Sequence, residues 1–416
     1  MNLRPLACSW LIVLGIIAAM PLAGMAQTQT IDFGANAFGT EIFVGSTIIS
    51  GKTATSAIGC TPQTGLAKTN TVASVSVPPT LSTGAVTTSA STVATAASAS
   101  ADIAQVNLIS GLVTANEIKA VSTTSQDASG LHTSAAGSIF TSLLVAGIPV
   151  GDNPAPNTVI SLPLLGNVTL NEQTASVSQT SARLTVNMIH IRITVANLKG
   201  LQVGTEIIVG SAQSSITLAT TPAILDGQAF GSEIVLQPVL VSGSTALAIV
   251  PCLGSKGQVV TNTTAGINIV GELSTGTVTD TAQGAIASSS ASSATTSTVQ
   301  AANLVNSLLS ADVISAAANA STTDGQAFNF TDTGSTFLNL AVAGHPEIND
   351  QVAANTRVNL VGIGTLWLHR IVQSSNNIEV RMVELIIAQG NVIGLPVGTD
   401  IRIADASASL HSATHP

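Results

Sequence analysis

Residues Leu81–Ala120 read LSTGAVTTSASTVATAASASADIAQVNLISGLVTANEIKA. Residues Leu273–Ala316 read LSTGTVTDTAQGAIASSSASSATTSTVQAANLVNSLLSADVISA. Both open on Leu-Ser-Thr-Gly-x-Val-Thr and run through Ala, Ser and Thr. Both close on Asn-Leu-x-x-x-Leu-x-x-Ala, at Asn107 to Ala115 and Asn303 to Ala311. The Ala-rich run Ala94–Ala101 suits a helix by propensity alone. Ser and Thr at every other position compete with helical hydrogen bonding and favour a strand. Small side chains let two sheets approach closely. Each buries little apolar area, at about 25 cal/mol per Å², so the expected core is long and flat.

The pairing extends beyond these runs. Ala37-Phe38-Gly39-Thr40-Glu41-Ile42 returns as Ala229-Phe230-Gly231-Ser232-Glu233-Ile234. Cys60 returns as Cys252, and Gly137-Ser138-x-Phe140 as Gly334-Ser335-x-Phe337. Asn157-Thr158 returns as Asn355-Thr356, Gly166 as Gly364, and Gly204-Thr205-Glu206-Ile207 as Gly398-Thr399-Asp400-Ile401. A unit this long exceeds the 20–50 residues of solenoid repeats. It is a duplicated domain. β-branched residues are abundant, and Ile189, Ile191 and Ile193 alternate like Val383, Leu385 and Ile387. The expected fold is all-β, with two tandem sandwich-like domains at 31–215 and 229–406. A linker is expected at 216–228 and a disordered tail at 407–416.

The first 26 residues carry one cation, Arg4, then an apolar run from Trp10 to Leu22, then Gly24-x-Ala26. This is the plan of a secretory signal peptide, with cleavage between Ala26 and Gln27. A retained anchor is the alternative, but the run is short of the ~20 residues of a spanning helix. No transmembrane segment is expected in the mature chain. Cys8 is not placed as a lipoprotein cysteine. Removing the signal takes Arg4 from the 12 Lys+Arg and leaves the 21 Asp+Glu, for a net charge of −10. Charged residues make up 8% of the chain, against ~25% in ordinary domains. The scattered cations form no basic stripe for nucleic acid. With 45% hydrophobic residues, the chain has enough to bury a core.

Cys60 and Cys252 are the cysteines that remain after cleavage, at equivalent positions of the copies. In an exported protein such a pair forms a disulfide. Two buried free thiols are the alternative. A bond requires the domains to pack through matching regions, with a pseudo-twofold relation.

The histidines are His132, His190, His345, His369, His411 and His415. None has zinc-type spacing, and His411 and His415 fall in the expected tail. Glu41, Glu206, Glu233 and Asp400 share the motif Gly-Thr/Ser-Glu/Asp-Ile. Four occurrences fit a turn-to-strand role better than catalysis. Calcium needs several converging oxygens, and the acids are spread out. No phosphate loop, nucleophile elbow or dinucleotide fingerprint occurs. No catalytic, metal or cofactor residue is assigned. Asn-x-Ser/Thr triplets at Asn167, Asn262, Asn319 and Asn329 are ordinary in so Thr-rich a chain.

The LSTGAVT run, the Ala/Ser-rich strand and NLISGLVTANEIKA, each with its second copy, resemble the secreted bacterial choice-of-anchor P family. The Asn-Thr…Gly segment and the Val-Gly-Thr-Glu-Ile motif extend the resemblance over both repeats. It implies an exported, surface-associated protein with a variable C-terminal anchor and no catalytic role. The end departs from that pattern: ASASLHSATHP follows Asp405, without an apolar tail or sorting motif. The expected function is a non-enzymatic structural or adhesive protein, secreted or associated with the cell surface. Cell-envelope polymers or other surface proteins are the expected partners. An ice- or carbohydrate-surface binder using Thr-rich flat sheets is the second reading, with Thr277-Val278-Thr279-Asp280-Thr281 as such a row. An extracellular hydrolase is the third.

Overall fold

The computed structural model describes residues 30–412, except 45, 46, 220–222, 237, 238, 243, 265, 270–272, 288, 326, 389, 392 and 393. The signal region with Ala26 and Gln27, and His415, lie outside the described residues. Among the described residues every regular element is a strand.

Seven long strands build each half. In the first they are β1 (Thr30–Val44), β2 (Val86–Val93), β3 (Ala96–Leu108), β4 (Val113–Asp127), β5 (Gly166–Val177), β6 (Ser181–Ile193) and β7 (Thr205–Ala219). In the second they are β8 (Ala223–Leu236), β9 (Val278–Ile286), β10 (Ala291–Leu304), β11 (Leu309–Thr322), β12 (Gly364–Gln373), β13 (Asn377–Ile387) and β14 (Thr399–Ser412). One sheet of the first half runs β5-β6-β7-β1, and its counterpart runs β12-β13-β14-β8. We call these the closing sheets, because each pairs the first and last long strands of its copy. The Ala/Ser/Thr sheets contain β2-β3-β4 and β9-β10-β11. All long-strand pairings are antiparallel.

The two sheets of a half face each other across a core. Ala97, Ala99, Ala101 and Ile103 of β3 are buried, while Ser98, Ser100 and Asp102 turn away. The Ala/Ser run is therefore a strand from Ala96, as its alternation predicts. Hydroxyls that face inward reach the opposite sheet directly. Ser122 Oγ donates to the Leu184 carbonyl at 2.9 Å, and Thr295 Oγ1 donates to the Ser407 carbonyl at 3.0 Å. Only small side chains permit such an approach. Gly39 shows the same constraint: a Cβ there would sit 2.3 Å from Val86 Cγ1, and on Gly231 2.2 Å from Val278 Cγ1. This explains the recurrence of Ala-Phe-Gly. Leu, Ile, Val and Met of the closing sheets fill the rest, in one large cluster per half.

The long strands switch face part-way. Asn171 and Gly210 have φ of 49° and 70°, and His369 and Ala404 have 49° and 54°. The ladders skip these positions. Leu184, Val186 and Met188 point inward before the switch, and Ile189, Ile191 and Ile193 after it. The second half does the same with Val380 and Met382, then Val383, Leu385 and Ile387.

Two boundaries are corrected. Residues 216–219 belong to β7 and 223–228 to β8, so the expected linker is largely strand. Leu218 pairs with Ile31, and Gly227 with Ala408. The expected tail is strand through Ser412, because Ser407–Ser412 continues the ladder to β8.

Cys60 and Cys252 are disulfide-bonded with Cα atoms 5.3 Å apart, within the range a bridge tolerates. The halves touch reciprocally around it. The short strand Thr47–Ser50 lies against Val260–Thr264, and the equivalent pair Val239–Ser242 and Ala67–Val72 also meets. Such reciprocity marks a pseudo-twofold contact. The Cys60 N–H points to the Asp226 carboxylate of the other half. A Cβ on Gly59 would lie 2.3 Å from Asp226 Oδ2, so this contact requires glycine.

The bond spans 192 residues. In the loop-entropy account it constrains the unfolded chain by about 5 kcal/mol. Cys252→Ser is expected to lower unfolding free energy toward that amount in chemical denaturation. An unchanged midpoint would contradict the bridge.

Candidate functional site

Outward-facing polar side chains of the closing sheets gather beside the face switch. In the first half His190 of β6 stands between two carboxylates. Its Nδ1 is 2.8 Å from Glu172 Oε2 and its Nε2 is 2.6 Å from Glu206 Oε2. Asn187 donates to Glu172 Oε2 at 2.9 Å and Arg192 to Glu172 Oε1 at 3.1 Å. Ser211 in turn donates to Asn187 at 2.8 Å. His190 is 5% exposed. The hydrogen bond from His190, helped by Asn187 and Arg192, outweighs burial and holds the Glu172 carboxyl down to about 2. Glu41, on the neighbouring strand, is pushed up by burial.

The second half builds the same place with different side chains. Glu384 occupies the position of His190, and Arg370 that of Glu172. Glu384 is 1% exposed and is held by Arg370 and by Arg381 at 2.5 Å, with Arg402 at 3.8 Å. Arg381 also grips Glu379 through two bonds of 2.9 Å. Arg402 binds Asp400 at 2.9 Å and lies 3.8 Å from Glu233. Ser244 Oγ donates to Glu233 at 3.0 Å. A histidine between two acids in one copy is thus replaced by an acid among arginines in the other. In both, the buried central side chain is held by hydrogen-bonding partners, as buried polar groups require.

The four motif acids lie diagonally across the closing ladders: Glu41 stands opposite Ile208 and Glu206 opposite Phe43, Glu233 opposite Arg402 and Asp400 opposite Val235. The sequence repeat revealed the motif but not this placement. The remaining histidines are dispersed. His132 contacts Asp127 at 3.0 Å, His345 contacts Glu347 at 3.0 Å, and His369 contacts Asp332 at 2.7 Å. His411, expected in a tail, sits in β14, where its Nδ1 meets Asn376 Nδ2 at 3.0 Å. Among the described residues no group of three His, Cys, Asp or Glu has metal-holding geometry.

The outer faces of the Ala/Ser/Thr sheets are different: they are rich in hydroxyls, with Asp102 and Lys119 facing each other in the first half. In the second half, register aligns Thr263, Thr279, Thr298 and Ser315 in one row, and Thr261, Thr281 and Thr296 in the next. In the first, Thr69, Ser89 and Ser100 align, as do Ser91, Ser98 and Thr123. Neighbouring hydroxyls bond across strands: Thr281 to Thr296 at 2.6 Å, Ser89 to Ser100 at 2.8 Å, Ser98 to Thr123 at 3.1 Å. Sheet geometry repeats such groups every ~4.8 Å across strands and ~7 Å along them. In the first copy Ser replaces Thr in the row of Thr69, Ser89 and Ser100, while the row of Thr71 and Thr87 runs on into Asp102 and Lys119.

No protein family, curated relative or solved structure matches this chain. The two copies themselves supply the comparison. Ser138 and Ser335 both bond the strand beside them, accepting from the N–H of Val121 and of Ala317 at 2.9 Å. Asn157 and Asn355 both accept a backbone N–H of the adjacent strand, from Gln173 and Ile371. Thr205 and Thr399 both close the turn before the last strand. Residues that recur with the same bond are scaffold.

Asp280 is the copy of Thr88, placed in the core. Thr88 Oγ1 donates to the Ala54 carbonyl and to Ser56 Oγ. Ala248 replaces Ser56 in the second half. Burial pushes the Asp280 carboxyl up to about 8 and that of Asp32 up to about 7. Their stabilising contribution is complete below about pH 4 and is lost as pH rises through those values. Glu172 acts oppositely: its contribution is complete above pH 4.5 and is lost as pH falls toward 2. Stability is expected to peak on the acid side of neutrality. Asp280→Thr restores the first-half hydroxyl. It should stabilise by about 1–3 kcal/mol at pH 8 and change little at pH 4, as read from denaturation at both pH values. Equal effects at the two values would contradict a neutral buried acid.

Proposed function

We propose that this is an exported, non-enzymatic structural or adhesive protein, acting at the cell surface or outside the cell. The observation that carries the reading is the set of hydroxyl rows on the outer sheet face of each half. Such a face offers repeated donors and acceptors to a partner with its own repeat. The disulfide supports an oxidising compartment. The carboxylates favour the same reading. Glu172 and Glu206 are both spent on His190, and Glu384 on three arginines. A general acid or base must face a substrate proton, and a glycosidase needs two acids across a shared site. The resemblance to choice-of-anchor P proteins points the same way.

The hydroxyl rows also favour a second reading, binding to a carbohydrate or ice surface. The two readings share one face and differ in the partner, and cell-envelope polymers join them.

The oxidised mature protein should be retained on whole cells and on purified cell-envelope polymers. Retention should persist in 1 M NaCl, where the screening length is ~3 Å, and no soluble sugar or peptide should be released. Salt-sensitive retention would contradict a role for the hydroxyl rows. Release of soluble products would contradict the non-enzymatic reading.

A further inference from the structure

A cavity of about 330 Å³ opens on the outer side of the first half's Ala/Ser/Thr sheet. Gln105 and Asn107 of β3, Thr114 and Asn116 of β4, and Ser142 and Leu144 beyond them line it. The backbone makes it. Gln105 has φ of 52° and drops out of the ladder between Ala104↔Glu117 and Val106↔Ala115. Ser142, with φ of 55°, turns the chain at the far wall. The stem of Gln105 rests on Gly84, where a Cβ would come within 3.0 Å of its Oε1.

The second copy separates structural from spare side chains here. Asn107 Oδ1 accepts the Gly111 N–H at 2.8 Å, and Asn303 Oδ1 accepts the Ser307 N–H at 2.9 Å. That asparagine is a turn cap in both halves. The other lining residues change: Gln105 becomes Ala301, Asn116 becomes Asp312, Ser142 becomes Asn339 and Leu144 becomes Ala341. In the second half Asn339 Nδ2 closes onto Asp312 at 2.6 Å. In the first half Asn116 Nδ2 reaches Ser142 Oγ at 3.1 Å, and its carbonyl oxygen has no partner among the described residues. The Gln105 amide likewise has none among them.

We propose that this groove binds a short segment of an uncharged glycan. The proposal rests on the adhesive reading above and names its ligand class. An amide carries a donor and an acceptor side by side, which suits the neighbouring hydroxyls of a sugar ring. Leu144 supplies an apolar wall for the ring's C–H face. No charged side chain lines the groove, so neither an anionic nor a cationic ligand gains a counter-charge. The volume lies at the low end of ligand sites, ~300–1,000 Å³. A polypeptide occupant would want unpaired strand edges or side-chain pockets, and the groove lies on a sheet face.

The test uses the full oxidised chain, with side-chain amide signals followed by NMR. Cellotetraose, chitotetraose and maltotetraose are titrated to millimolar concentration, with tetra-alanine as the peptide probe. At least one saccharide is expected to shift the Gln105 and Asn116 amides. The variant Gln105→Ala with Asn116→Asp should weaken that binding at least tenfold without changing the thermal midpoint, and Gln283→Ala on the other half should not weaken it. The inference is overturned if no saccharide shifts these amides, if shifts fall only on the hydroxyl rows, or if tetra-alanine shifts them equally. Retention on envelope polymers despite a silent groove would leave the adhesive reading standing. Loss of both would overturn the two together.

Discussion

Each half depends on the antiparallel ladder between its first and last long strands. Thr30 to Val44 pairs with Ala219 to Thr205, and Ala223 to Leu236 with Ser412 to Thr399. The ladder joins residues separated by nearly the whole length of a copy. Such non-local pairing is slow to fold. It also makes each copy a closed object with its own core. Ala, Ser and Thr contribute little apolar area, so the ladders and the hydroxyl bonds between sheets hold much of the order that a Leu-rich core would otherwise impose.

Closure explains what duplication preserved and what it released. Positions with a backbone duty recur: Ser138 and Ser335, Asn157 and Asn355, Gly39 and Gly231. Positions with a duty in the buried polar cluster changed residue type, Glu172 to Arg370 and His190 to Glu384, while Glu206 and Asp400 stayed acidic, because such a cluster requires partners for each buried group and not a particular residue. His190 amid glutamates and Glu384 amid arginines are two solutions of that one condition. Positions with neither duty, such as Gln105 and Asn116, differ freely. They are where a copy can acquire a ligand of its own.

The duplication, the all-β class and the pairing of Cys60 with Cys252 were legible in the sequence because each leaves a local mark. The strand ends were not. Residues 216–219 look like a linker until Ile31 is seen opposite Leu218, and Ser407–Ser412 looks like a tail until β8 is seen beside it. In both places pairing decides, and small polar residues carry no amphipathic signal of their own. The face switch was hidden for another reason: a left-handed φ at Asn171 or Ala404 leaves no motif. That switch gathers Glu172, His190 and Glu206 into one cluster, so the cluster was hidden with it. The groove depends on a similar backbone irregularity at Gln105.

The most direct test is to place a protease site between Ala219 and Ala223 and cut the folded protein. If each copy is closed by its own ladder and Cys60–Cys252 joins the two, the cut protein remains one species without reductant. Reduction then gives two bands on denaturing electrophoresis, and each half, kept in native buffer, retains a β-type circular dichroism spectrum and a cooperative unfolding transition. Loss of the folded signal on cutting, or two species before reduction, would contradict the account.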